Sequence, residues 1–294
     1  MSEETFKSGF ISIIGKPNVG KSTLMNALVG ERLSIITSKA QTTRHRIFGI
    51  LTSDKFQMVY SDTPGVIEAS YKLQESMMRF VRSSLEDADI ILIVVELGEK
   101  SIEMPILEEA LASSTPTILV LNKIDLGKGS QVLDKTTHWK SIYPELEIIS
   151  VSAETGENVD QLFNRMVELL PIHPPYFPQD ALTDKTERFF AAEIIREKIF
   201  LHYKQEIPYS CEVVVESFKE EETIIRMSAV IYVERSSQKG IVIGKAGSSL
   251  KEVGTAARLE MEAFFQKKVH LELFVKVEKD WRKDQYKLNK FGYL

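Results

Sequence analysis

Ser12-Ile13-Ile14-Gly15-Lys16-Pro17-Asn18-Val19-Gly20-Lys21-Ser22-Thr23 is the stretch from which the rest of the chain is read. An apolar strand enters G-x-x-x-x-G-K-[ST] and a helix-forming segment leaves it, the context in which such a loop closes around phosphate. The glycines leave backbone N–H groups free to surround an anion, and the following helix points its positive end at it. Lys21 can then reach β and γ oxygens and Ser22 can ligate Mg²⁺. The stretch implies a nucleoside triphosphate. A chance glycine turn before a helix is the competing reading, and the flanking pattern disfavours it.

The base is addressed further along, at Asn122-Lys123-Ile124-Asp125, which closes the apolar run Thr117 to Leu121. The Asp125 carboxylate can accept from both N1–H and the exocyclic amine of guanine. Adenine offers no such donor pair and would leave a charge unpaired, so guanine is expected. Asn122 would brace the loops and the aliphatic stem of Lys123 would cover a ring face. Two further stretches fall in the order such a site needs. Asp62-Thr63-Pro64-Gly65 follows the strand-like Phe56 to Tyr60, so Asp62 can hold Mg²⁺ through water and the Gly65 N–H can sense a γ-phosphate. Ser152-Ala153 follows Leu146 to Val151 and can set a backbone N–H against guanine O6. Each alone reads as an ordinary strand-to-loop turn; in register, the four point to a GTP site.

These boxes resemble those of the translation-factor-like branch of the Ras-like GTPases. The resemblance implies a further threonine in the first switch, within Thr37 to Arg44, that ligates Mg²⁺ when γ-phosphate is present. Thr43 is favoured, with Thr42 the alternative. The candidate catalytic groups are thus Lys21, Thr43 and Gly65, and the metal ligands Ser22, Thr43 and Asp62. The expected nucleotide contacts are Gly15, Asn18, Val19, Gly20, Lys21, Ser22, Thr23, Asp62, Gly65, Asn122, Lys123, Asp125, Ser152, Ala153 and Glu154. Ras-like enzymes usually place a glutamine after the D-x-x-G glycine to orient water. Val66-Ile67 stands there instead, which implies slow unassisted turnover. No arginine finger is identifiable, although Arg44 and Arg46 lie near the switch. Asn18 is similar to an asparagine that in relatives helps hold a monovalent cation such as K⁺ in place of the arginine charge; a residue that merely shapes the loop is the alternative.

With 294 residues and 43% apolar content, the chain can bury one full α/β core and a second, smaller one. Its single cysteine, Cys211, excludes an internal disulfide and fits a reducing compartment, where a buried apolar role is expected. The five histidines show no metal-ligand spacing, so no transition-metal site is expected. The N-terminus has no apolar core of a signal peptide and no run approaches the length of a bilayer span, so a cytoplasmic location is expected. The net charge of −5 is uneven: residues 235–294 carry 13 basic and 7 acidic side chains. That balance suits a polyanionic partner, though a solvated basic face is the commoner cause of a modest excess.

Four of the ten prolines fall between Pro171 and Pro178, which ends the helix Val159 to Leu170 and predicts an extended, semi-stiff connector. The expected division is a GTP-binding domain over 1–172, a proline-rich linker over 173–182, and a second domain with a basic tail over 183–294. Before the linker, strands at Phe10 to Ile14, Arg46 to Leu51, Phe56 to Tyr60, Ile90 to Val95, Thr117 to Leu121 and Leu146 to Val151 alternate with helical patterns. The expected α/β fold is a mostly parallel sheet with ligand loops at the carboxyl ends of its strands. After it, patterns for a helix (Glu187 to Tyr203), strands (Ser210 to Ser217, Ile224 to Val233), two helices (Ser237 to Ile243, Ser249 to Gln266) and a strand (Val269 to Val277) give α-β-β-α-α-β. Gly244-Lys245-Ala246-Gly247 lies between the last two helices.

That order around G-x-x-G resembles an α+β KH domain of the prokaryotic type (type II). The resemblance implies a loop gripping a single-stranded RNA backbone, with Lys245 supplying charge and an aliphatic groove receiving bases. Ile241, Ile243, Gly244, Lys245, Ala246, Gly247 and Ser248 are the expected RNA contacts. The two halves together resemble the Era family of ribosome-assembly GTPases, through Gln41-Thr42-Thr43-Arg44-His45-Arg46-Ile47, Glu193-Ile194-Ile195-Arg196-Glu197-Lys198, Glu206-Ile207-Pro208-Tyr209-Ser210 and Phe291-Gly292-Tyr293. Membership would imply a monomeric GTP/GDP switch that binds 16S ribosomal RNA near its 3′ end, assists maturation of the 30S subunit, and in some members associates peripherally with membranes. A rival is a GTPase regulator acting on a protein or membrane partner without RNA, for which the basic segment Trp281 to Leu294 could serve. A metabolic GTP-dependent enzyme is a weaker third reading, because no second set of catalytic groups is spaced for one.

Overall fold

The computed structural model describes residues 6–102 and 104–293. The chain divides into two units, Met77–Asp184 together with the residues before Ser70, and Lys185 onward together with Ser70–Ser76.

The first unit is built on a six-stranded sheet of order β2-β3-β1-β4-β5-β6. Its strands are β1 (Lys7–Ile14), β2 (Ile47–Thr52), β3 (Phe56–Asp62), β4 (Ile90–Glu96), β5 (Thr117–Asn122) and β6 (Glu147–Ser150). Only β2 runs antiparallel, joined to β3 by a tight turn in which Ser53 Oγ accepts from Lys55 N and Phe56 N at 3.2 and 3.1 Å. The other strands are parallel, and the inner β4 and β5, buried along nearly their whole length, read as unbroken apolar runs rather than alternating ones. Ile11, Ile13 and Ile14 in β1 and Leu92 in β4 are fully buried.

The helices are α1 (Lys21–Val29), α2 (Lys72–Glu86), α3 (Pro105–Ala112), α4 (Gly129–Ile142) and α5 (Val159–Leu169). Three of them hide an apolar stripe at helical spacing: Leu24, Met25 and Leu28 in α1, Met77 and Val81 in α2, Leu162 and Met166 in α5, whereas α4 buries Trp139 alone. Pro105 opens α3, where its missing N–H costs nothing. Every strand predicted for this half is present, with ends shifted by up to three residues.

The proline-rich stretch belongs to the first unit and is bonded to it along its length. Ser8 N donates to Pro171 O at 3.1 Å, Ile172 bridges Lys7, and Ser8 Oγ donates to Pro174 O at 2.7 Å. Gln57, fully buried, accepts from Tyr176 N and Phe177 N at 2.7 and 2.9 Å and donates to Phe177 O at 2.9 Å. Ile50 N reaches Leu182 O at 2.8 Å, and Phe48 N reaches Asp184 Oδ1 at 3.0 Å. The segment has no helix or strand and turns at Pro178 to Ala181, and several of its carbonyls and N–H groups are bonded to the sheet.

The second unit contains α6 (Glu187–His202), α7 (Ile207–Ser210), β7 (Glu212–Glu220), β8 (Ile224–Val233), α8 (Ser236–Ile243), α9 (Ser248–Phe265), β9 (Lys268–Val277) and α10 (Gln285–Lys290). The sheet order is β7-β8-β9; β7 and β8 pair antiparallel, while β9, returning after two helices, pairs parallel to β8. Ile195, Ile199, Ala229, Ile231, Val242, Ala257 and Met261 form the centre of its core, with Cys211 buried among them.

The segment from Trp281 corrects the expectation of a basic tail available to a surface. Trp281, Leu288 and Tyr293 are fully buried. Trp281 Nε1 donates to Ser210 O at 3.0 Å, Tyr293 Oη donates to Glu212 Oε2 at 2.7 Å, and Phe291 packs on Tyr232. Lys287 pairs with Glu278 at 2.6 Å and Arg282 with Glu234, so part of the basic excess is neutralised within the domain. Single apolar residues spaced five to seven apart bury this segment without showing helical periodicity.

Candidate nucleotide site and nucleic-acid groove

The turn from β1 into α1 needs close backbone approach. Gly20 has φ 98°, and a Cβ there would lie 2.2 Å from Asn122 Nδ2. Lys21 opens α1 almost wholly buried, with Nζ donating to Lys16 O at 2.9 Å. Burial lowers its pKa to about 8 against the opposing fields of Asp62 and Glu99. A buried ammonium at the positive end of a helix is a site short of negative charge, and phosphate supplies it.

Three expected metal ligands from distant parts of the chain meet here. Ser22 Oγ donates to Asp62 Oδ2 at 2.7 Å, and Thr43 Oγ1 lies 3.0 Å from Ser22 Oγ and 3.4 Å from Asp62 Oδ2. Thr42 is elsewhere, with its hydroxyl on Thr37 Oγ1 at 2.6 Å and Lys39 O at 2.7 Å. Asp62 is fully buried, and its Oδ1 has no partner. Burial pushes its carboxyl pKa up, opposed by the bond from Ser22 and the charge of Lys21. Two hydroxyls and a desolvated carboxylate with an orphaned oxygen form a hard oxygen donor set, which fits Mg²⁺.

Gly65 crosses the phosphate loop so closely that a Cβ would stand 2.7 Å from Pro17 Cα, and Val66 N donates to Gly15 O at 3.0 Å. Val66 itself is buried, so it presents neither a polar group nor an open face to water. Asn18 Nδ2 donates to Ser38 O at 3.0 Å, linking the phosphate loop to the first switch. Arg46 points away from the phosphates: Nε donates to Ser61 Oγ at 2.7 Å and Nη1 to Asp87 Oδ2 at 2.6 Å. Arg44 is fully buried.

At the base end, Asn122 is buried. Its Nδ2 donates to Val19 O at 2.8 Å and its Oδ1 accepts from Ala153 N at 3.0 Å, so one amide ties three of the expected boxes together. Ser152 Oγ donates to Asp125 Oδ1 at 2.6 Å, leaving the other carboxylate oxygen for a base. Lys123, at φ 64°, pairs with Glu96 Oε2 at 2.7 Å. A cavity of about 240 Å³ is lined by Gly20, Thr23, Asn122, Lys123, Asp125, Leu126, Ala153 and Glu154. It shares Gly20, Thr23 and Lys123 with a cavity of about 360 Å³ that runs along Lys21, Ser22, Thr43 and Gly65. Leu126 was not among the expected contacts. It is 76% exposed, and the oddity of a bare leucine directly after N-K-x-D was the available signal.

In the second unit, G-x-x-G turns α8 into α9 with Gly244, Ala246 and Gly247 at φ 74°, 51° and 80°. Beside it lies a cavity of about 320 Å³ lined by Gly247, Leu250, Lys251, Gly254, Thr255, Arg258, Leu271 and Leu273. This groove runs between α9 and β9 beside the G-x-x-G turn. Ile243 packs against the core, and Ile241 is half-exposed on α8; neither lines it. Its floor depends on Gly254, where a Cβ would meet Leu273 Cδ1 at 3.2 Å. A glycine mid-helix, facing the half-buried Leu273 of β9, was the trace of this groove in the sequence.

The model of the 50S ribosome-binding GTPase family matches residues 10–123, and that of the KH domain matches residues 206–282. The GTPase Era of Syntrophus aciditrophicus is 51% identical over 98% of this chain and 95% of its own length. That of Geobacter metallireducens is 46% identical over the whole of both. A crystal structure of Era in complex with MgGDPNP and nucleotides 1506–1542 of 16S ribosomal RNA superposes with a TM-score of 0.92, at 40% identity over 98% of this chain and 99% of that one. A single-residue variant of Aquifex aeolicus Era bound to GDP and AlF4⁻ gives the same score, identity and coverage.

Proposed function

This chain belongs to the Era family of GTPases, and on that footing we propose that it is a GTP-dependent switch on small-subunit ribosomal RNA. The first unit would take GTP and Mg²⁺, with Ser22, Thr43 and Asp62 as the residues to hold the metal, Lys21 to hold the β and γ oxygens, and Asp125 and the Ala153 N–H to read guanine. The meeting of Thr43 with Ser22 and Asp62 carries this reading, because it puts a switch-loop hydroxyl where a triphosphate and its metal would be sensed.

Bound Mg²⁺ would neutralise charge on the β and γ oxygens, while Lys21 and the N–H groups at the start of α1 orient them. Val66 offers no hydrogen bond to an attacking water, so turnover is slow without help. A K⁺ ion held with the aid of Asn18 would supply the missing positive charge; equal hydrolysis rates in Na⁺ and K⁺ would remove it. RNA occupies the α9/β9 groove, with its backbone on Gly244 to Ser248. The Era structure that holds 16S nucleotides 1506–1542 supports ribosomal RNA as the partner, and this reading puts the chain in the cytoplasm on the maturing 30S subunit.

The test is binding of the full chain to RNA spanning the 3′ end of small-subunit ribosomal RNA, with GDP and with a nonhydrolysable GTP analogue, beside Lys245→Asp. Binding that depends on the nucleotide and is lost in the variant, with GTP hydrolysis retained, is expected. Absence of binding in both nucleotide states would refute the RNA switch.

A further inference from the structure

Two consecutive residues at the end of the first switch are fixed to one face of α2. The His45 ring lies 5.8 Å from that of Phe80, and Arg46 Nη1 donates to Ser83 Oγ at 3.2 Å and to Asp87 Oδ2 at 2.6 Å. Phe80 and Ser83 share a face of α2, and Asp87, just past its end, bonds back to it through its N–H and Ser83 O at 3.3 Å. The same guanidinium reaches β3 through Nε and Ser61 Oγ at 2.7 Å, and its carbon lies 4.7 Å from the centre of the Phe48 ring in β2. One side chain therefore joins the strand that leaves the switch, the residue before Asp62, and α2. The Arg46 side chain is only 11% exposed while Asp87 is 54% exposed, so water screens the ion pair and the Ser61, Ser83 and Phe48 contacts hold the inner side of the guanidinium.

Thr43 lies three residues upstream, within about 10 Å of chain from this anchor. Between Gly30 and Arg46 the switch is mostly irregular, so where its end is held sets how much of space Thr43 must search to reach Ser22 and Asp62. We propose that Arg46 is a positioning residue: it pins the carboxyl end of the first switch so that the Thr43 hydroxyl is delivered to the metal when a triphosphate is bound. GDP binding does not call on Thr43, so the pin favours GTP over GDP without touching either nucleotide. This rests on Thr43 as the switch ligand.

Affinities of the full chain for fluorescent GDP and a fluorescent nonhydrolysable GTP analogue, in Mg²⁺, test it. In Arg46→Ala the analogue should bind about tenfold more weakly, ~1.4 kcal/mol, with GDP unchanged within about twofold. Arg46→Lys, which keeps the charge and loses the fork, should recover only part of the ratio. Asp87→Ala removes one half-exposed partner and should shift the ratio the same way by less; it carries the test if Arg46→Ala does not fold. Thr43→Ala should lower the ratio at least as far. If Thr43→Ala lowers it and the Arg46 and Asp87 variants do not, or weaken both nucleotides equally, the pin is refuted and the threonine reading stands. If none of the variants lowers it, the threonine reading fails and the pin with it.

Discussion

Asn122 Nδ2 donates to the Val19 carbonyl across 2.8 Å, joining the end of β5 to the middle of the phosphate loop. Its amide oxygen simultaneously holds Ala153 N, so the amide bonds one backbone group on either side of the base cavity. Asn122→Ala leaves both unpaired in a buried place, at about 1–3 kcal/mol each. GDP and the GTP analogue should lose affinity equally, by about ten- to a hundredfold, because neither bond involves the γ-phosphate. A selective loss of the analogue in nucleotide titrations would contradict this account.

Asp125→Asn keeps the shape of the cavity and exchanges an acceptor pair for an acceptor and a donor. Xanthine presents a carbonyl where guanine presents its amine, so xanthosine diphosphate should gain on GDP by more than about a hundredfold. Competition between the two nucleotides checks it, and retained GDP affinity would refute the base assignment.

The pH dependence of nucleotide affinity has a definite sign. In the folded, nucleotide-free protein burial pushes the Lys21 pKa down to about 8 from its ordinary 10.5. Below pH 8 Lys21 is charged before phosphate arrives; above, binding must take up a proton. GDP affinity should be flat up to about pH 8 and fall about tenfold by pH 9. For stability the same shift acts oppositely: burying the charged group opposes the fold below about pH 8, and because the unfolded chain binds more protons between about 8 and 10.5, that cost falls away as pH rises. Calorimetric titration across pH 7–9 reads the first effect, and a flat profile would show that Lys21 is not desolvated.

Gln57 is expected to be a stability residue. Its side chain replaces a neighbouring strand for Tyr176 and Phe177, and Gln57→Leu would leave two N–H groups and a carbonyl unpaired. A loss of about 2–4 kcal/mol in urea unfolding of the first unit should follow, with residual GTP hydrolysis in the folded fraction.

Gly254→Val would fill the groove of the second unit against Leu273. RNA affinity should fall more than about tenfold while the GTP hydrolysis rate stays at that of the parent. Unchanged RNA binding would move the base site away from α9 and β9.

Much of the nucleotide site and the order of elements was legible in the chain. Gly15 to Ser22, Asp62 to Gly65 and Asn122 to Asp125 work through short-range backbone geometry and adjacent side chains, so each is written in a few contiguous residues. The strands and helices of both units likewise announce themselves, because local periodicity and burial of one face are the same physical fact. The tertiary structure alone decided which threonine meets Ser22 and Asp62: Thr42 and Thr43 are equivalent in composition and differ only in which way the folded loop turns them. It also decided that residues 171–184 are held by Gln57, Ile50 and Phe48, that Trp281, Leu288 and Tyr293 fold inward, that the groove lies on Gly254, Leu271 and Leu273, and that Arg46 turns from the phosphates to Ser61, Ser83 and Asp87. Each of these is a contact between residues far apart in the chain. Its energy comes from matching a partner's position, and no local pattern records where that partner is.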